Sequence, residues 1–184
     1  MADLVPVQSG DEAFGERADR YLRRALGLAF YLLGDRLDAE DATQEVMLRA
    51  WRGRASLRDP DAFEPWVDRI VVNTCRERLR RNRRFREGGF DPGFTTDGEG
   101  ESAVEPEVAD RLEPLLDRDS VGRALLGLTI EQRTVTVLRY WRDLSLEQIA
   151  ARLDWPLGTV KSRLHYALAA LRERLERDEK EIQG

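Results

Sequence analysis

Residues 145–166, SLEQIAARLDWPLGTVKSRLHY, read as two helices joined by a short turn. Ser145 can cap a helix N-terminus, and Gln148 three residues later completes a capping box. Leu146, Ile149, Ala150 and Leu153 recur at helical spacing and predict one apolar face. Asp154-Trp155 breaks that run. Pro156 suits the first turn of a second helix, where its missing N–H costs nothing. In the second helix Val160 and Leu164 take the buried positions, while Thr159, Lys161, Ser162, Arg163, His165 and Tyr166 point outward. A helix with so many donors and two cations is what the major groove of DNA accepts. The same pattern also fits a helical hairpin with a solvated polar face, so the remainder of the chain has to decide.

Working outward, the pattern stays helical and strand-like alternation is scarce. Asp11 to Leu33 predicts one long helix or two short ones, with Phe14, Ala18, Tyr21, Leu22, Ala25, Leu28, Ala29 and Leu32 as the buried stripe and Gly34-Asp35 as its end. Asp38 is expected to cap a second helix reaching about Arg52. Asp59-Pro60 opens a third, whose apolar side is Phe63, Trp66, Val67, Ile70, Val71 and Thr74. From Glu87 to Val108 the glycines, prolines, threonines and acids cannot build a core, and a flexible linker is expected. Helical pattern resumes near Val108–Leu116 and from Ser120. Thr129 with Gln132 forms a further capping box, opening a helix through Val135, Leu138 and Trp141. The last helix continues through Leu168, Leu171 and Leu175.

The expected fold is therefore all-α, with two small helical domains joined by a flexible acidic linker, the second carrying the helix-turn-helix. The domains span 11–86 and 119–178, with a linker over 87–118.

In the 184-residue chain 35% of the residues are charged and 41% hydrophobic, values that suit helix-rich structure with much exposed surface. No apolar run approaches a membrane span, and the N-terminus lacks the basic-then-apolar pattern of a secretory signal, so no membrane insertion and a cytoplasmic location are expected. A single cysteine, Cys75, excludes an internal disulfide and a cysteine-based zinc site. The net charge of −5 conceals segregation. Between Trp66 and Arg86 the arginines 69, 76, 78, 80, 81, 83, 84 and 86 face only Asp68 and Glu77, and an acidic stretch then follows to Glu113. A basic block beside an acidic one implies a localised polyanion site. No nucleophile–histidine–acid set, phosphate-cradling glycine loop or metal-ligand cluster is present, so neither an enzyme nor a bound cofactor is expected. A metal-assisted nuclease built on the acids from Asp35 to Glu45 would lack the histidines and partner acids it needs. His165, the only histidine, has no partner ligand and reads as a groove-edge donor or a solvated ring.

Three segments together resemble the extracytoplasmic-function (group 4) sigma factors of bacterial RNA polymerase. They are DAEDATQEVMLRAW (38–51), FEPWVDRIVVNTCRERLRR (63–81) and LTIEQRTVTVLRYWRDLSLEQIAARLDWPLGTVKSRL (128–164). Each alone is moderately specific, whereas all three in this order and spacing are a strong signal. The resemblance implies a first domain that binds the polymerase clamp and opens the −10 element, and a second that reads −35. By motif position it places Asp41, Gln44, Glu45 and Leu48 on the surface that grips core RNA polymerase. A helix face bearing such acceptors suits a basic partner, although acids near a helix N-terminus are also favoured by the helix dipole alone. The −10 contacts implied are Asn73, Arg76, Arg80 and Arg81, the arginines meeting phosphate near melted bases. An arginine run met alone is more often a solvated surface. Here it begins on a helix that also carries Trp66, itself expected in the core. The −35 contacts implied are Thr159, Lys161, Ser162, Arg163, His165 and Tyr166.

The resemblance also implies promoter DNA and an anti-sigma factor as partners. This chain departs from the family in three places. Asp154 stands where a glycine is common in the turn, no basic residue lies near Tyr166 or Leu168, and Glu77 replaces a usual aspartate. With nothing after Gly184, no extra C-terminal domain is expected. The competing function is a stand-alone helix-turn-helix transcription regulator, which shares the 145–166 motif but leaves the two earlier segments unexplained.

Overall fold

The computed structural model describes residues 10–87 and 120–183. Helix α1 (Gly10–Leu33) is one continuous helix. Phe14, Tyr21, Ala25, Leu28, Ala29 and Leu32 are buried along the expected stripe, and Ala18 and Leu22 are half-buried. Leu26 and Phe30 are buried as well, because α1 packs on more than one side. Gly34 ends the helix in the left-handed region at φ 80°, a conformation open to a residue without a Cβ, and its N–H donates to Phe30 at 2.8 Å.

That early turn moves the next cap. Asp35, not Asp38, caps α2 (Arg36–Gly53), its carboxylate accepting from the Asp38 N–H at 2.8 Å. Asp38 becomes the third residue of the helix. The expectation was three residues late because Gly34 brings the chain to a helix start at once. Asp59 caps a 3₁₀ turn over Pro60–Ala62 by accepting from the Asp61 N–H at 2.9 Å, and α3 (Phe63–Glu87) follows directly. Phe63, Val67, Val71 and Thr74 are buried as expected, Trp66 and Ile70 half-buried, and Val72 and Cys75 join the core. Glu87, expected in the linker, is the last residue of α3. The remaining linker and the helix expected near Val108–Leu116 lie outside the described residues.

The second group comprises α4 (Ser120–Leu126), α5 (Ile130–Tyr140), α6 (Leu146–Leu153) and α7 (Leu157–Gln183). Both expected capping boxes form. Gln132 N–H reaches Thr129 Oγ1 at 3.3 Å and Gln148 N–H reaches Ser145 Oγ at 3.2 Å, with the reciprocal bonds at 3.1 and 2.7 Å. Trp141 is the C-cap of α5 rather than its last residue. Pro156 stands just outside α7, where its carbonyl accepts from Thr159 and Val160 at 2.9 and 3.1 Å. It therefore takes the cap position and not the first turn.

Helices α1, α2 and α3 pack on one another, and α7 packs against α4, α5 and α6. The two groups also touch, α1 against α5 and α3 against α6, and one apolar cluster runs from Phe14 to Leu164. The fold is all-α, two helical domains with a helix-turn-helix in the second.

Candidate polymerase-binding and nucleic-acid interfaces

On α2, Asp41, Gln44, Glu45 and Leu48 fall at helical spacing on one stripe. Asp41 and Gln44 are exposed, and Leu48 is 56% exposed although it is a leucine. An exposed leucine between acceptors is the composition of a rim around an apolar anchor. Glu45 differs from the other three. It is half-buried, lies 2.6 Å from Arg49 and 3.4 Å from Arg78, and so is partly neutralised within the fold. Arg78 of α3 also faces Asp38 at 3.9 Å and Asp41 at 3.8 Å, a cation set under the acidic stripe. Burial and the neighbouring Asp35 nevertheless hold the Asp38 carboxyl above the usual carboxylate range. Arg49 closes the arrangement by reaching Glu77 of α3 at 2.7 Å.

On α3, Arg69, Asn73, Arg76 and Arg80 share one face by their spacing. Asn73, Arg80 and Arg81 are exposed. Arg76 is not, because the second domain occupies it. Its Nη2 lies 3.0 Å from Glu131 of α5, and its guanidinium sits 5.7 Å from the Trp155 ring centroid. Arg69 donates to the carbonyls of Arg152 and Ala151 at 3.1 and 3.3 Å, at the C-terminal end of α6. Asn73 lies between two arginines that hold the helix-turn-helix domain. Trp66 packs against the core, as expected.

The helix-turn-helix has the expected frame. Val160 and Leu164 are buried, and Ile149 and Leu153 bury the facing side of α6. Asp154 takes the turn in the left-handed region at φ 58°, ψ 46°, the conformation a glycine would take there. Lys161, Ser162, His165 and Tyr166 are exposed, Tyr166 at 63%. Thr159 and Arg163 are half-buried. Arg163 stacks 4.1 Å over the Trp155 ring, which orients its guanidinium from within the motif. Ser162 donates to the Thr159 carbonyl at 3.1 Å.

Two buried charged groups that organise the molecule carry no motif. Asp68, fully buried, receives hydrogen bonds from Tyr21 and Arg152 and lies 3.7 Å from Arg142. Burial and the adjacent Asp68 charge raise the Tyr21 hydroxyl above its usual range. Arg133, also buried, donates to the carbonyls of Leu32, Leu125, Leu126 and Leu128. Its one sequence signal is an arginine in an apolar helical register with Ile130 and Val137. A further surface was not expected: a cavity of about 560 Å³ whose wall includes Arg17, Arg20 and Arg24 of α1, with Arg24 paired to Glu64 at 2.8 Å.

Residues 18–85 match the family model for Sigma-70 region 2, and residues 124–173 that for Sigma-70 region 4. The chain is 33% identical over 187 residues to the ECF RNA polymerase sigma factor SigW of Bacillus subtilis, with 94% of each chain covered. It is 38% identical over 151 residues to the ECF RNA polymerase sigma factor SigL of Mycobacterium tuberculosis, with 80% of each covered. Among solved structures it resembles CnrH in complex with the cytosolic domain of CnrY, with a TM-score of 0.59, 27% identity and coverage of 90% of this chain and 89% of that one. The sigma factor RpoE in complex with the anti-sigma factor NepR from Bartonella quintana shares its fold, with a TM-score of 0.66, 24% identity and coverage of 89% and 97%.

Proposed function

Because this chain belongs to the extracytoplasmic-function sigma factors of RNA polymerase, we propose that three of its surfaces divide one task, promoter-specific initiation. The protein is a promoter-specificity subunit. It binds core RNA polymerase, recognises the −10 and −35 elements and directs transcription initiation. It is not an enzyme. In the division proposed, residues 11–86 form the domain for the polymerase clamp and the −10 element, and residues 119–178 the domain for −35. Asp41, Gln44, Glu45 and Leu48 meet the polymerase. Asn73, Arg76, Arg80 and Arg81 meet the −10 DNA, and Thr159, Lys161, Ser162, Arg163, His165 and Tyr166 meet −35.

One observation carries this reading: the same chain presents an exposed acceptor stripe on α2 and an exposed, donor-rich face on α7. A stand-alone regulator would use the second and leave the first without a role. Among the described residues no helix is long and apolar enough to cross a membrane. Work on core polymerase and promoter DNA favours a cytoplasmic location. An anti-sigma factor is the further partner proposed, since RpoE of Bartonella quintana is seen in complex with one.

The test is reconstitution. Core polymerase with this protein should initiate at a discrete set of sites in a pool of genomic templates, read by sequencing the transcripts. Lys161→Ala with Arg163→Ala should weaken promoter binding by about 30-fold or more, since each such contact contributes roughly 1–3 kcal/mol. Affinity for core polymerase should be unchanged. Initiation at no template, or equal loss of both affinities in the double variant, contradicts the proposal.

A further inference from the structure

The arginines of α1 have no place in the three surfaces described above. Arg17, Arg20 and Arg24 stand at i, i+3 and i+7 on one stripe of the helix, with Arg23 at its edge. All four line the cavity of about 560 Å³, whose facing wall is the turn that opens α3. Like charges three and four residues apart on a helix repel. The fold compensates this set only in part. Arg24 pairs with Glu64 at 2.8 Å, and Glu64 is itself shared with Arg142 at 3.8 Å. Arg20 donates its Nε–H to the Glu16 carbonyl at 3.1 Å, a bond that brings no opposite charge. Against the four arginines the cavity wall carries two carboxylates, Asp61 and Glu64. The cavity is therefore cationic in a chain whose net charge is −5.

We propose that this cavity is a binding site for a nucleoside polyphosphate, which sets its phosphates on the α1 arginines and its sugar hydroxyls towards Asp61. The site goes beyond the function proposed above and does not rest on it.

Three features select this class of ligand. Guanidinium forks match phosphate oxygens two at a time, and several arginines on one wall suit several linked phosphates. An ionised carboxylate only accepts hydrogen bonds, so Asp61, exposed at the rim, calls for a donor on the ligand. A bare polyphosphate has none, whereas the sugar of a nucleoside has. Size decides the rest. A volume of about 560 Å³ far exceeds one phosphate and lies within the roughly 300–1,000 Å³ of small-molecule sites. Pro60, also exposed, is the apolar surface left for the base.

The same geometry separates the cavity from the promoter path. Glu64 precedes Asn73 on α3 by about two and a half turns at 3.6 residues per turn, so the two residues look to opposite sides of the helix. A strand lying along Asn73 does not enter the cavity, and no lining residue comes from α2 or α7. A track for single-stranded DNA also needs open aromatic faces on which successive bases stack. The two rings here, Tyr21 and Phe63, are buried and packed edge to face at 6.0 Å, closing the floor.

The experiment is calorimetric titration of the full chain with ATP, GTP and inorganic tripolyphosphate, without divalent cations. ATP or GTP should bind at a single site, and tripolyphosphate about threefold or more weakly, the difference of a hydrogen bond to the sugar. Arg17→Gln with Arg20→Gln should lower nucleotide affinity about 10-fold or more, and the corresponding lysine pair should lose less, since it keeps charge without the fork. Asp61→Ala should strengthen tripolyphosphate binding and erase the nucleotide's advantage. Arg172→Gln with Arg177→Gln, which removes the same charge from exposed positions of α7, should leave affinity within about twofold. Helical content by circular dichroism selects the folded variants; if the α1 pair fails, Arg20→Glu alone, at an exposed position, replaces it. No saturable binding of either nucleotide, or equal loss in the α7 variant, overturns the site. Tripolyphosphate binding as tightly as ATP overturns the assignment to a nucleoside. Binding of a short single-stranded oligonucleotide but of neither nucleotide, lost in the α1 variant, gives the cavity to DNA and overturns the proposal equally. All these outcomes are read without polymerase or promoter, so failure of the initiation assay leaves them standing.

Discussion

Asp154 shows how one residue meets a backbone demand that the family commonly assigns to glycine. At φ 58° a side chain crowds the following carbonyl, at a cost of roughly 1–2 kcal/mol for most residues. Aspartate tolerates the region better because its short polar side chain can bond locally. Asp154→Ala should therefore lower stability by about 1 kcal/mol, whereas Asp154→Gly should not, as read from the midpoints of urea unfolding. Equal loss in both would mean that the Asp154 carboxylate, and not the turn geometry, matters. Arg133 makes the complementary point. Burial lowers its pKa to about 10, so it remains charged at neutral pH. Its hydrogen bonds to four carbonyls help satisfy acceptors at and just beyond the ends of α1 and α4, the Leu125 carbonyl also accepting from the Leu128 N–H at 3.0 Å. No motif marks such a residue. Only the arginine's place in an apolar register hints at it.

At the scale of helices, periodicity and caps made most of the fold legible. The stripe of α1, the two capping boxes and the α6–α7 turn follow from local spacing, because each is decided within a turn or two of chain. Boundaries were less legible. The α2 cap lies at Asp35 because left-handed Gly34 turns the chain early, and Pro156 caps α7 instead of entering it. The candidate sites divide in the same way. The α2 stripe and the outer face of α7 were readable as exposed positions. The Glu45–Arg49 pair follows from i,i+4 spacing on one helix, whereas the pairing of Glu45 with Arg78 and of Arg76 with Glu131 was not legible, since those partners are distant in sequence and on other helices. Helix α2 carries its own prediction. Asp41→Lys places a cation at an exposed position of the proposed polymerase face without entering the core. It should weaken core binding about 10-fold or more, as reversed interfacial charge does, while helical content and DNA binding by the free protein are retained. Unchanged affinity in a binding titration would remove Asp41 from that surface.

For the molecule as a whole, Cys75 reports on the integrity of the fold. Its thiol is fully buried, and burial pushes its pKa up to about 12, against 9.0 for the free group. The sign follows. The contribution of the buried neutral thiol to stability is complete below about pH 9 and is lost as pH rises through about 12. A thiol reagent at pH 7.5 should react roughly 10³-fold or more slowly with the native protein than with the denatured chain, in line with unfolding equilibria of that size. Labelling should accelerate with the global unfolding transition. Fast labelling of the native protein would place Cys75 outside the core.

The sequence by itself determined that the chain is all-α, where its helices lie, and that a helix-turn-helix and an acceptor-bearing helix occur together. These are short-range properties, set by side-chain periodicity, caps and turn residues within a few positions of one another. Only the tertiary structure decided which promoter-facing arginines are exposed and which are held. Arg69, Arg76 and Asp68 find their partners in Ala151, Glu131 and Arg152, more than fifty residues away, after two domains have packed. A charge in water and a charge paired across an interface are the same letter in the sequence. Burial, which belongs to the folded molecule, is what separates them.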